Sequence, residues 1–489
     1  MSKKVIFAHA SQAFWQDVAA RLQDEYGWEI CYLIGGDQKE RALKLFPDAV
    51  FHTHAEAKMN LVPQGCEAVK PSALDKSLIT ALSFNESIFI KMMDRFSYDG
   101  MLSYRQRIAT YHKQLMYWKG VIEHFKPDLV VFRVAPHMGY DYVLYSLCRK
   151  LAVDTLMFER PTIPGLVIPV SSFEEESPVI KKNYRACLQK AHSAAITLSP
   201  EASAHLDKLS QPYEQATPFH VIYKQKRYKG GDIGSSLGIL RRLFREQVKG
   251  ILFDKWEPDY RKRKYHKRLG EIKRKRLLAH YRQLAKNIDL SVPYIFVALQ
   301  CEPERQSCPV GGVFTHQYLM IDLLSKLVPE GWKVYVKEHP SQFKRYQSAE
   351  RSKTIESYDF IAGMPKVELA PLDMTSFELI DHAQATVTVA GTVGWESLVR
   401  GKPVLLFSHS WFSACKGVFV THTVEDCKSA IQAIKNGFQI NANEVKCFAQ
   451  AVEQSSYRGY VDKVNEQMGF ISSEENATNL AKAIYEYFV

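Results

Sequence analysis

Short apolar runs and stretches of helical spacing alternate along most of the chain. In the N-terminal part, residues 14–26 and 141–152 repeat apolar side chains about every three to four positions, as amphipathic helices do. The apolar runs around them predict strands at residues 4–10, 29–35, 49–54, 127–134, 155–159 and 193–199. Strands that alternate with helices in this way predict a doubly wound, mainly parallel α/β sheet.

A second alternation of the same kind starts near Val292. It predicts strands at residues 293–300, 332–336, 367–371, 385–390 and 403–408, and helices at residues 315–327, 376–383 and 394–400. Thr375 or Ser376 is the expected N-cap of the helix at residues 376–383. The tail at residues 477–487 also has helical spacing, and we expect it to fold back across the domain junction.

The two alternations predict an α/β fold with two Rossmann-like, doubly wound domains. Residues 1–221 would form the N-terminal domain and residues 291–475 the C-terminal one. Residues 222–290 would be a basic helical insert between them, and residues 476–489 a C-terminal crossover helix.

The composition fits a globular protein of the cytoplasm. Of the 489 residues, 46% are hydrophobic and 12% aromatic, which is enough for two cores. The sequence has no apolar run of about 18 residues or more, and its first apolar stretch is too short for a signal peptide. Nine cysteines without a C-x-x-C pair fit reduced thiols better than a disulfide framework or a zinc site, so no metal is predicted.

Positive charge is concentrated in one segment. Residues 222–290 contain 21 Lys/Arg and 7 Asp/Glu, whereas the whole chain has a net charge of +11. Within this segment, residues 237–256 and 261–285 have helical spacing. The first of these helices places apolar side chains near one face and four basic residues around its flank: Arg241, Arg242, Arg245 and Lys249.

Three alternatives remain open for this basic segment. It is a solvated helical linker, an amphipathic element that contacts an anionic membrane surface, or a nucleic-acid-binding element. No zinc finger, RRM motif or platform of interleaved aromatic residues supports the third alternative, so no nucleic-acid partner is predicted. The four flanking basic residues are the predicted contacts with a membrane surface.

The sequence YVKEHP, at residues 335–340, marks the exit of a predicted strand. In an open α/β sheet, ligands bind just beyond the carboxyl ends of the strands. Pro340 cannot continue the strand and favours an extended backbone at His339, which holds the imidazole at the exit. One ring N–H can then donate to a phosphate oxygen, and Lys337 supplies a cation, so Lys337, His339 and Pro340 are predicted phosphate-binding residues. The alternative is a turn histidine without a role.

The sequence AGTVGWES, at residues 390–397, offers a second phosphate site. Glycine lets the backbone approach a ligand closely, the Thr392 hydroxyl adds a donor, and the following helix begins with a partial positive charge, so Gly391, Thr392 and Gly394 are predicted contacts. Glu396, one turn into the helix, is predicted to accept from a ribose hydroxyl; the alternative is an ordinary first-turn glutamate. Two phosphate-type strand exits in one sheet suit a nucleotide-sugar.

A third strand exit, at residues 300–312, brings Glu302, Glu304 and Arg305 into a loop stiffened by prolines. Sugar transfer passes through an oxocarbenium-like transition state, so a fixed carboxylate near the anomeric carbon can act as nucleophile, base or electrostatic stabiliser. Glu304 ranks above Glu302 because it follows a proline that fixes its backbone. Arg305 is a predicted donor-binding residue.

Glu159 ends a predicted strand of the first domain. We expect it to face Glu304 across the cleft between the domains, where it activates or orients the acceptor. The alternative is a salt bridge between Glu159 and Arg133 or Arg160. Glu304, Glu159 and His339 are therefore the predicted catalytic residues.

Four motifs of the second domain carry a resemblance to a known family. They are PER at residues 303–305, GW…YVKEHP at 331–340, GTVGWES at 391–397 and GKPVLLF at 401–407. In order and spacing they resemble the bacterial capsule polysaccharide biosynthesis family, which includes the Kdo transferases of capsule assembly. The likeness covers about residues 293–420, and in the first domain it extends to the strand order and to the turn at residues 158–165.

The resemblance implies a GT-B enzyme that uses a CMP-activated or other nucleotide-activated sugar, with the His-Pro pair on the phosphate as in bacterial sialyltransferases. The PER motif supports the choice of Glu304 over Glu302. Where Kdo transferases of the family carry an acidic run ending in aspartate, this chain has Glu302-Pro303-Glu304. That departure leaves the donor sugar and the retaining or inverting outcome open.

Together these features predict a GT-B glycosyltransferase of capsular or surface polysaccharide synthesis, with the acceptor on the first domain and the donor on the second. Its expected partners are a nucleotide-sugar donor, for which Kdo or another nonulosonate is one candidate, a glycan or lipid-linked acceptor, and the anionic inner-membrane surface. We expect a cytoplasmic protein peripheral to that membrane, without a cofactor other than the donor. The alternatives are a nucleotide-sugar epimerase-like enzyme and a non-catalytic polysaccharide assembly or export protein.

Overall fold

The computed structural model of the protein describes residues 2–36, 38–96, 102–190, 195–216, 259–344, 349–467 and 469–488. Within these ranges two α/β units follow each other along the chain, each built on its own sheet. Most strands are runs of apolar residues that are buried on both faces, as parallel sheets covered by helices require. The predicted fold of two Rossmann-like units is confirmed.

The strands are β1 (Lys4–Ala10), β2 (Glu29–Gly35), β3 (Val50–Thr53), β4 (Leu129–Phe132), β5 (Asp154–Glu159), β6 (Leu166–Val170), β7 (Tyr294–Ala298), β8 (Lys333–Lys337), β9 (Val367–Leu369), β10 (Ala385–Thr388), β11 (Val404–Leu406), β12 (Val418–Val420) and β13 (Tyr457–Arg458). The first sheet has the order β13-β6-β5-β4-β1-β2-β3 and the second the order β12-β11-β10-β7-β8-β9. Strands β1 to β5 are parallel, β6 is antiparallel to β5, and β13 is antiparallel to β6. All pairings of the second sheet are parallel.

The helices of the first unit are α1 (Ala13–Tyr26), α2 (Lys39–Leu45), α3 (His54–Met59), α4 (Lys76–Ala81), α5 (Ser83–Met92), α6 (Tyr104–Phe125), α7 (Tyr140–Leu151), α8 (Pro178–Lys190), α9 (Pro200–Leu209) and α10 (Tyr213–Ala216). Helix α11 (Asp259–Leu284) leads into the second unit, whose helices are α12 (Tyr318–Leu327), α13 (Ile355–Ala362), α14 (Ser376–His382), α15 (Val393–Val399), α16 (Val424–Lys435) and α17 (Ala442–Gln454). The C-terminal part adds α18 (Lys463–Glu466) and α19 (Ser473–Phe488). Thr375 is the N-cap of α14, since its side chain accepts from the backbone N–H of Glu378.

The chain returns to the first unit at its C-terminal end. Strand β13 joins the first sheet beside β6, and α19 packs on α1, where the rings of Tyr26 and Tyr485 stack with centroids 4.0 Å apart. The indole N–H of Trp15 also donates to the carbonyl of Val461 at 3.4 Å. The predicted crossover of the C-terminal helix is thereby confirmed. The crossing itself begins at β13, ahead of the predicted boundary at residue 476.

The second half of the basic segment is helix α11, as the spacing of residues 261–285 predicts. It packs against the second unit, because Leu277 and Tyr281 are fully buried and the Tyr281 hydroxyl donates to the carbonyl of Ala370 at 2.7 Å. His280 Nε2 also lies 2.6 Å from Asp359 Oδ1. The predicted helix at residues 237–256, with Arg241, Arg242, Arg245 and Lys249, lies outside the described residues.

The first sheet differs from the prediction at one edge. Residues 195–199 form no strand, while residues 193 and 194 of the same predicted strand lie outside the described ranges. This side of the sheet is formed instead by β6, which turns back after β5 and pairs with it in the opposite direction, and by β13 at the edge. Among the helices within the described ranges, none is long and apolar enough to cross a membrane.

Candidate active site

The carboxyl ends of β5 in the first sheet and of β7 and β8 in the second sheet lie at one cleft between the two units. Glu159 ends β5 and Arg305 follows β7, and the two charges are close enough to affect each other's pKa. The units also touch directly, since Lys91 Nζ of α5 lies 3.6 Å from Glu302 Oε2 and the Arg95 guanidinium donates to the carbonyl of Cys308 at 3.4 Å. Because ligands of open α/β sheets bind beyond the carboxyl ends of strands, this cleft is the candidate active site.

Lys337 ends β8 with its side chain buried. Burial lowers the pKa of its ammonium group to about 8, against the opposing influence of Glu338 and Asp373. In the described part of the chain, the ammonium group makes neither a hydrogen bond nor an ion pair. A desolvated cation of this kind at a strand exit suits an anionic ligand.

Glu338 points into the protein on the side opposite to Lys337, as strand alternation predicts. Its side chain is fully buried and accepts from the Tyr358 hydroxyl and from the backbone N–H of His339, each at 2.8 Å. The backbone N–H of Glu338 donates to the hydroxyl of Tyr281 on α11 at 3.1 Å. Glu338 therefore fixes the backbone at the strand exit and is not available to a ligand.

His339 is held at the exit by the turn that follows it. The backbone N–H of Ser341 donates to His339 Nδ1 at 3.1 Å, and the backbone N–H of Gln342 donates to the His339 carbonyl at 2.8 Å. Since Nδ1 accepts a hydrogen bond, the neutral ring carries its proton on Nε2. Pro340 is exposed and ends the strand, as predicted from the sequence.

Glu302 is locked inside the second unit. Its Oε1 lies 2.9 Å from Lys353 Nζ and accepts from the Gln317 amide at 2.7 Å, and its Oε2 lies 3.6 Å from Lys91 Nζ. Burial raises the pKa of Glu302, but the ammonium groups of Lys353 and Lys91 outweigh burial and hold this pKa below its usual value. Lys353 also lies 3.7 Å from Glu338 Oε2, so it links two strand exits.

Glu304 and Arg305 occupy the turn that follows Glu302. The turn is closed by the backbone N–H of Cys308, which donates to the Glu304 carbonyl at 2.8 Å, and by the Ser307 hydroxyl, which contacts the Cys301 carbonyl at 3.1 Å. Both Glu304 and Arg305 are half-buried. Burial and the nearby guanidinium group of Arg160 lower the pKa of Arg305 to about 9, and the charge of Glu304 opposes this shift. The two predicted residues therefore face the first unit.

Glu159 is half-buried at the end of β5. Burial raises the pKa of its carboxyl group to about 7, and Arg305 across the cleft opposes this shift. Within the described ranges Glu159 forms no ion pair with Arg133 or Arg160; Arg160 pairs with Asp462 instead. A carboxyl group that titrates near neutral pH is suited to general acid–base chemistry. The structure thus brings Glu159, Arg305 and Glu304 into one neighbourhood.

The two glycines at the β10 exit are explained by packing. A Cβ atom on Gly391 would lie 2.1 Å from the amide nitrogen of Gln300, and one on Gly394 would lie 2.8 Å from the ring of Phe412. The backbone N–H of Gly391 already donates to the Thr388 hydroxyl at 3.2 Å. This N–H is therefore engaged within the loop, while the contact of a phosphate with Gly391, Thr392 and Gly394 stays a prediction. Thr392, which is exposed, remains the outward-facing donor of this exit.

Glu396 lies one turn into α15 and is half-buried. Burial raises the pKa of its carboxyl group to about 7, while the Thr392 hydroxyl at 3.5 Å and the charge of Arg400 oppose the shift. Arg400 itself forms an ion pair with Asp381. A carboxyl group in this state can accept from, or donate to, a sugar hydroxyl.

Several residues that shape the cleft were not predicted from the sequence. Lys353 and Tyr358 hold the two buried glutamates, and Lys91 joins them from the first unit. Arg133 follows β4 and Arg160 follows β5, so both lie at the carboxyl edge of the first sheet. Arg160 directly follows the predicted strand at residues 155–159, which is a signal of the same kind as the one that indicates Glu159, whereas Arg133 lies inside the predicted strand at residues 127–134.

Residues 243–450 match the family of capsule polysaccharide biosynthesis proteins. The matched region contains all four motifs on which the predicted resemblance rests. No curated protein matches the chain.

Several solved structures match it at low identity. A KpsC β-Kdo 2,7 transferase from Thermosulfurimonas dismutans is 12% identical with a TM-score of 0.30, covering 80% of this chain and 95% of that one. A UDP-GlcNAc 2-epimerase from Methanocaldococcus jannaschii is 12% identical with a TM-score of 0.27, covering 91% and 97%. The UDP-GlcNAc 2-epimerase from Neisseria meningitidis, bound to UDP-GlcNAc, is 12% identical with a TM-score of 0.22, covering 99% and 98%.

Proposed function

We propose that the protein is a glycosyltransferase that moves a sugar from a nucleotide-activated donor to a glycan or lipid-linked acceptor during capsule or surface polysaccharide synthesis. One observation carries the proposal. Within the described residues, the β8 exit presents an ammonium group without a hydrogen bond or ion pair and an imidazole with its proton on Nε2, while Glu159, with a pKa of about 7, ends β5 of the other unit. The match to a capsule biosynthesis family supports the choice of product.

In this proposal His339 and Lys337 act on the donor phosphate. Transfer develops negative charge on the departing phosphate, and donors already aimed at that charge stabilise the transition state. The hydrogen bond from Ser341 orients the His339 ring before the donor arrives. The ammonium group of Lys337 is already desolvated in the folded protein. Less reorganisation of water around this charge is therefore needed during the reaction.

Glu304 and Glu159 take the roles at the sugar. Glu304 lies in a closed turn beside Arg305, and its charge opposes the lowering of the Arg305 pKa. In this proposal Glu304 serves as nucleophile or electrostatic stabiliser at the anomeric carbon. Glu159 removes the proton of the acceptor hydroxyl, for which a pKa near 7 is well matched. Glu302 is engaged by Lys353 and Gln317, which supports the higher rank of Glu304.

The donor proposed first is a CMP-activated sugar, with Kdo or another nonulosonate as the sugar. This finer assignment comes from the motif resemblance of the second domain. The decisive assay incubates the protein with CMP- and UDP-sugars and measures nucleotide release with and without a glycan acceptor. Acceptor-dependent CMP release supports the proposal, whereas acceptor-independent conversion of a UDP-sugar supports an epimerase.

We also propose that the protein works in the cytoplasm at the inner face of the membrane, with the basic segment against the anionic leaflet. Helix α11 supports this placement, because Tyr265, Leu269 and Ile272 are 60%, 43% and 51% exposed and follow one another at helical spacing. Arg268 and Lys275 beside them are exposed as well. Apolar residues flanked by Lys and Arg are the composition of interfacial helices.

A further inference from the structure

Two glutamine side chains hold the backbone of the loop that follows β7. The Gln317 amide accepts from the backbone N–H of Gln300 at 2.6 Å and donates to the Gln300 carbonyl at 2.9 Å. The Gln342 amide pairs with the backbone of Glu302 in the same way, at 2.8 Å for each hydrogen bond. Each amide thus supplies the acceptor and the donor that a neighbouring strand would offer to this stretch of chain.

Gln342 differs from Gln317 because it belongs to the turn that holds His339. Its backbone N–H donates to the His339 carbonyl at 2.8 Å, within the turn whose Ser341 N–H donates to His339 Nδ1. The Gln342 side chain is fully buried and points to the β7 exit, where it meets Glu302. One residue therefore contacts two strand exits, with its main chain at the β8 exit and its side chain at the β7 exit.

A second buried link joins the same two exits through side chains. Lys353 Nζ lies 2.9 Å from Glu302 Oε1 and 3.7 Å from Glu338 Oε2. This link acts on the end of the Glu302 side chain, which is separated from the backbone by rotatable bonds. The Gln342 amide acts on the backbone of Glu302 itself, so it constrains the course of the loop more directly.

We propose that Gln342 is a positioning residue for sugar transfer, which sets the distance between the donor phosphate at His339 and the carboxylate of Glu304. The inference rests on the proposed glycosyltransferase function. Pro303 restricts the backbone between Glu302 and Glu304, so a chain held at Glu302 also places Glu304. A misplacement of about 1 Å between reacting groups can lower a rate about 100-fold.

The variant Gln342→Met tests this role. Methionine has a similar length and no amide, so both hydrogen bonds to Glu302 are lost. The hydrogen bonds that hold the His339 turn come from backbone N–H groups and remain. We expect kcat to fall about 100-fold and the KM for the donor to stay within about twofold, because the phosphate contacts persist. An unchanged kcat would overturn the inference.

A matched control exists at the C-terminal crossing. The fully buried amide of Asn476 accepts from the backbone N–H of Tyr460 at 2.7 Å and donates to the Tyr460 carbonyl at 3.1 Å. Asn476→Leu removes this equivalent pair of hydrogen bonds with little change in side-chain size. Both variants should lower the Tm, since each leaves buried backbone groups unpaired, but only Gln342→Met should lower kcat. Equal losses of kcat, measured well below both transitions, would reduce Gln342 to a stability role and refute the inference.

The variant Gln342→Glu adds a rescue that depends on pH. Its carboxyl group can still accept from the N–H of Glu302, and it regains a donor to the Glu302 carbonyl when it is protonated. The ratio of its kcat to the wild-type kcat at the same pH should therefore rise as the pH falls. Taking this ratio removes the effect of Glu159, which titrates in both proteins. A ratio that stays low at every pH would contradict the inference.

Hydrogen exchange separates the inference from the proposed function, because it needs no turnover. In Gln342→Met the amide of Glu302 should exchange about tenfold faster than in the wild-type protein, as measured by mass spectrometry on peptides of the full chain that cover this loop. Exchange as slow as in the wild-type protein would refute the positioning role. Faster exchange, combined with a wild-type protein that turns over neither CMP-sugars nor UDP-sugars, would contradict the proposed function and support the hold of Gln342 on the loop.

Discussion

The backbone N–H of Ser341 donates to Nδ1 of His339 at 3.1 Å, and this contact sets the chemistry of the β8 exit. It leaves the neutral imidazole with a proton on Nε2 and fixes the plane of the ring. The ring is therefore prepared to donate to a phosphate without a change of tautomer. The sequence feature behind it is Pro340, which ends the strand and starts the turn that contains Ser341.

Replacing His339 by Ala should lower kcat by about 100-fold to 1,000-fold, as expected when a donor to transition-state charge is removed. The Tm should stay within about 2 °C of the wild-type value, because the ring is half-buried and lies outside the core. His124→Ala, at an exposed site on α6, is the matched control and should keep full activity. Near-normal turnover of His339→Ala would reject the assigned role.

Glu302→Gln should mainly lower stability, whereas Glu304→Gln should mainly lower activity. Removing the charge of Glu302 leaves Lys353 with less compensation in a buried site, so the free energy of unfolding should fall by about 3 kcal/mol. Glu304→Gln should unfold like the wild-type protein and lose transfer activity. Denaturant titration and kcat measurements on both variants check this difference.

If Glu304 is the nucleophile, mass spectrometry of the protein with donor alone should detect a glycosyl adduct on residue 304. A fully active Glu304→Gln variant, combined with an inactive but stable Glu302→Gln variant, would reverse the ranking of the two glutamates.

The pH dependence should report Glu159. A general base must be ionised, and its pKa is about 7, so kcat/KM should rise as the pH passes through about 7. It should fall again above about pH 8, where Lys337 loses its charge. Glu159→Gln should remove this rising limb along with most of the activity. Glu396→Gln is the control, because Glu396 has a similar pKa but lies at another strand exit. A rising limb that survives in Glu159→Gln and disappears in Glu396→Gln would exchange their roles.

Glu159 also affects stability, which should fall as the pH rises, whereas activity should rise. The pKa of Glu159 is raised from 4.5 to about 7 in the folded protein, so the fold prefers the protonated form. Its stabilising contribution is complete below about pH 4.5 and is lost as the pH rises through about 7. The decline of Tm between these pH values should be smaller in Glu159→Gln than in the wild-type protein. An identical decline in both proteins would contradict the raised pKa.

Transfer should survive removal of divalent metal. The proposed phosphate site relies on Lys337 and His339 for positive charge, and no group of three metal-binding side chains was found in the residues that the structure describes. Activity after dialysis against EDTA should stay within about twofold of the untreated value. A loss that Mg²⁺ or Mn²⁺ restores would show that the protein side chains are insufficient.

Membrane binding should depend on the basic segment. Each Lys or Arg near an anionic surface contributes on the order of 1 kcal/mol, and the attraction fades within about a Debye length. Sedimentation with anionic vesicles should weaken at least tenfold when Arg241, Arg242, Arg245 and Lys249 are all changed to Gln, and it should weaken with salt. The control variant removes four positive charges elsewhere in the chain, by changing the exposed residues Lys428, Lys435, Lys446 and Lys482 to Gln. Salt-insensitive binding, or none, would leave a solvated linker as the better description.

The hydrophobic pattern was enough to predict both sheets and the strand exits at Lys337, Gly391 and Glu159. Buried parallel strands are continuous apolar runs, so their ends are visible in the sequence. Strand β6 was missed because it is a short run directly after a turn, and its place is fixed by pairing with β5 and with the distant β13. Such long-range pairing leaves little local signal.

The chemistry at the exits was only partly predictable. Sequence spacing places Glu302 and Glu304 in the same loop, but the contact with Lys353, about 50 residues away, decides which of them is locked in the core. The sequence likewise could not show why residue 391 is a glycine. The amide of Gln300 that excludes a side chain there comes from another strand exit. Contacts between loops of one sheet edge depend on the fold and not on local spacing.

The most direct test of the proposed activity follows a radiolabelled sugar from the donor to its product. The protein is incubated with a CMP-sugar labelled in the sugar and with a glycan acceptor, and free nucleotide and labelled glycan are both quantified. A glycosyltransferase predicts one labelled sugar on the acceptor for each CMP released, and about 100-fold to 1,000-fold slower formation of both products with His339→Ala. Label recovered only as free or epimerised sugar, without any on the acceptor, would contradict it.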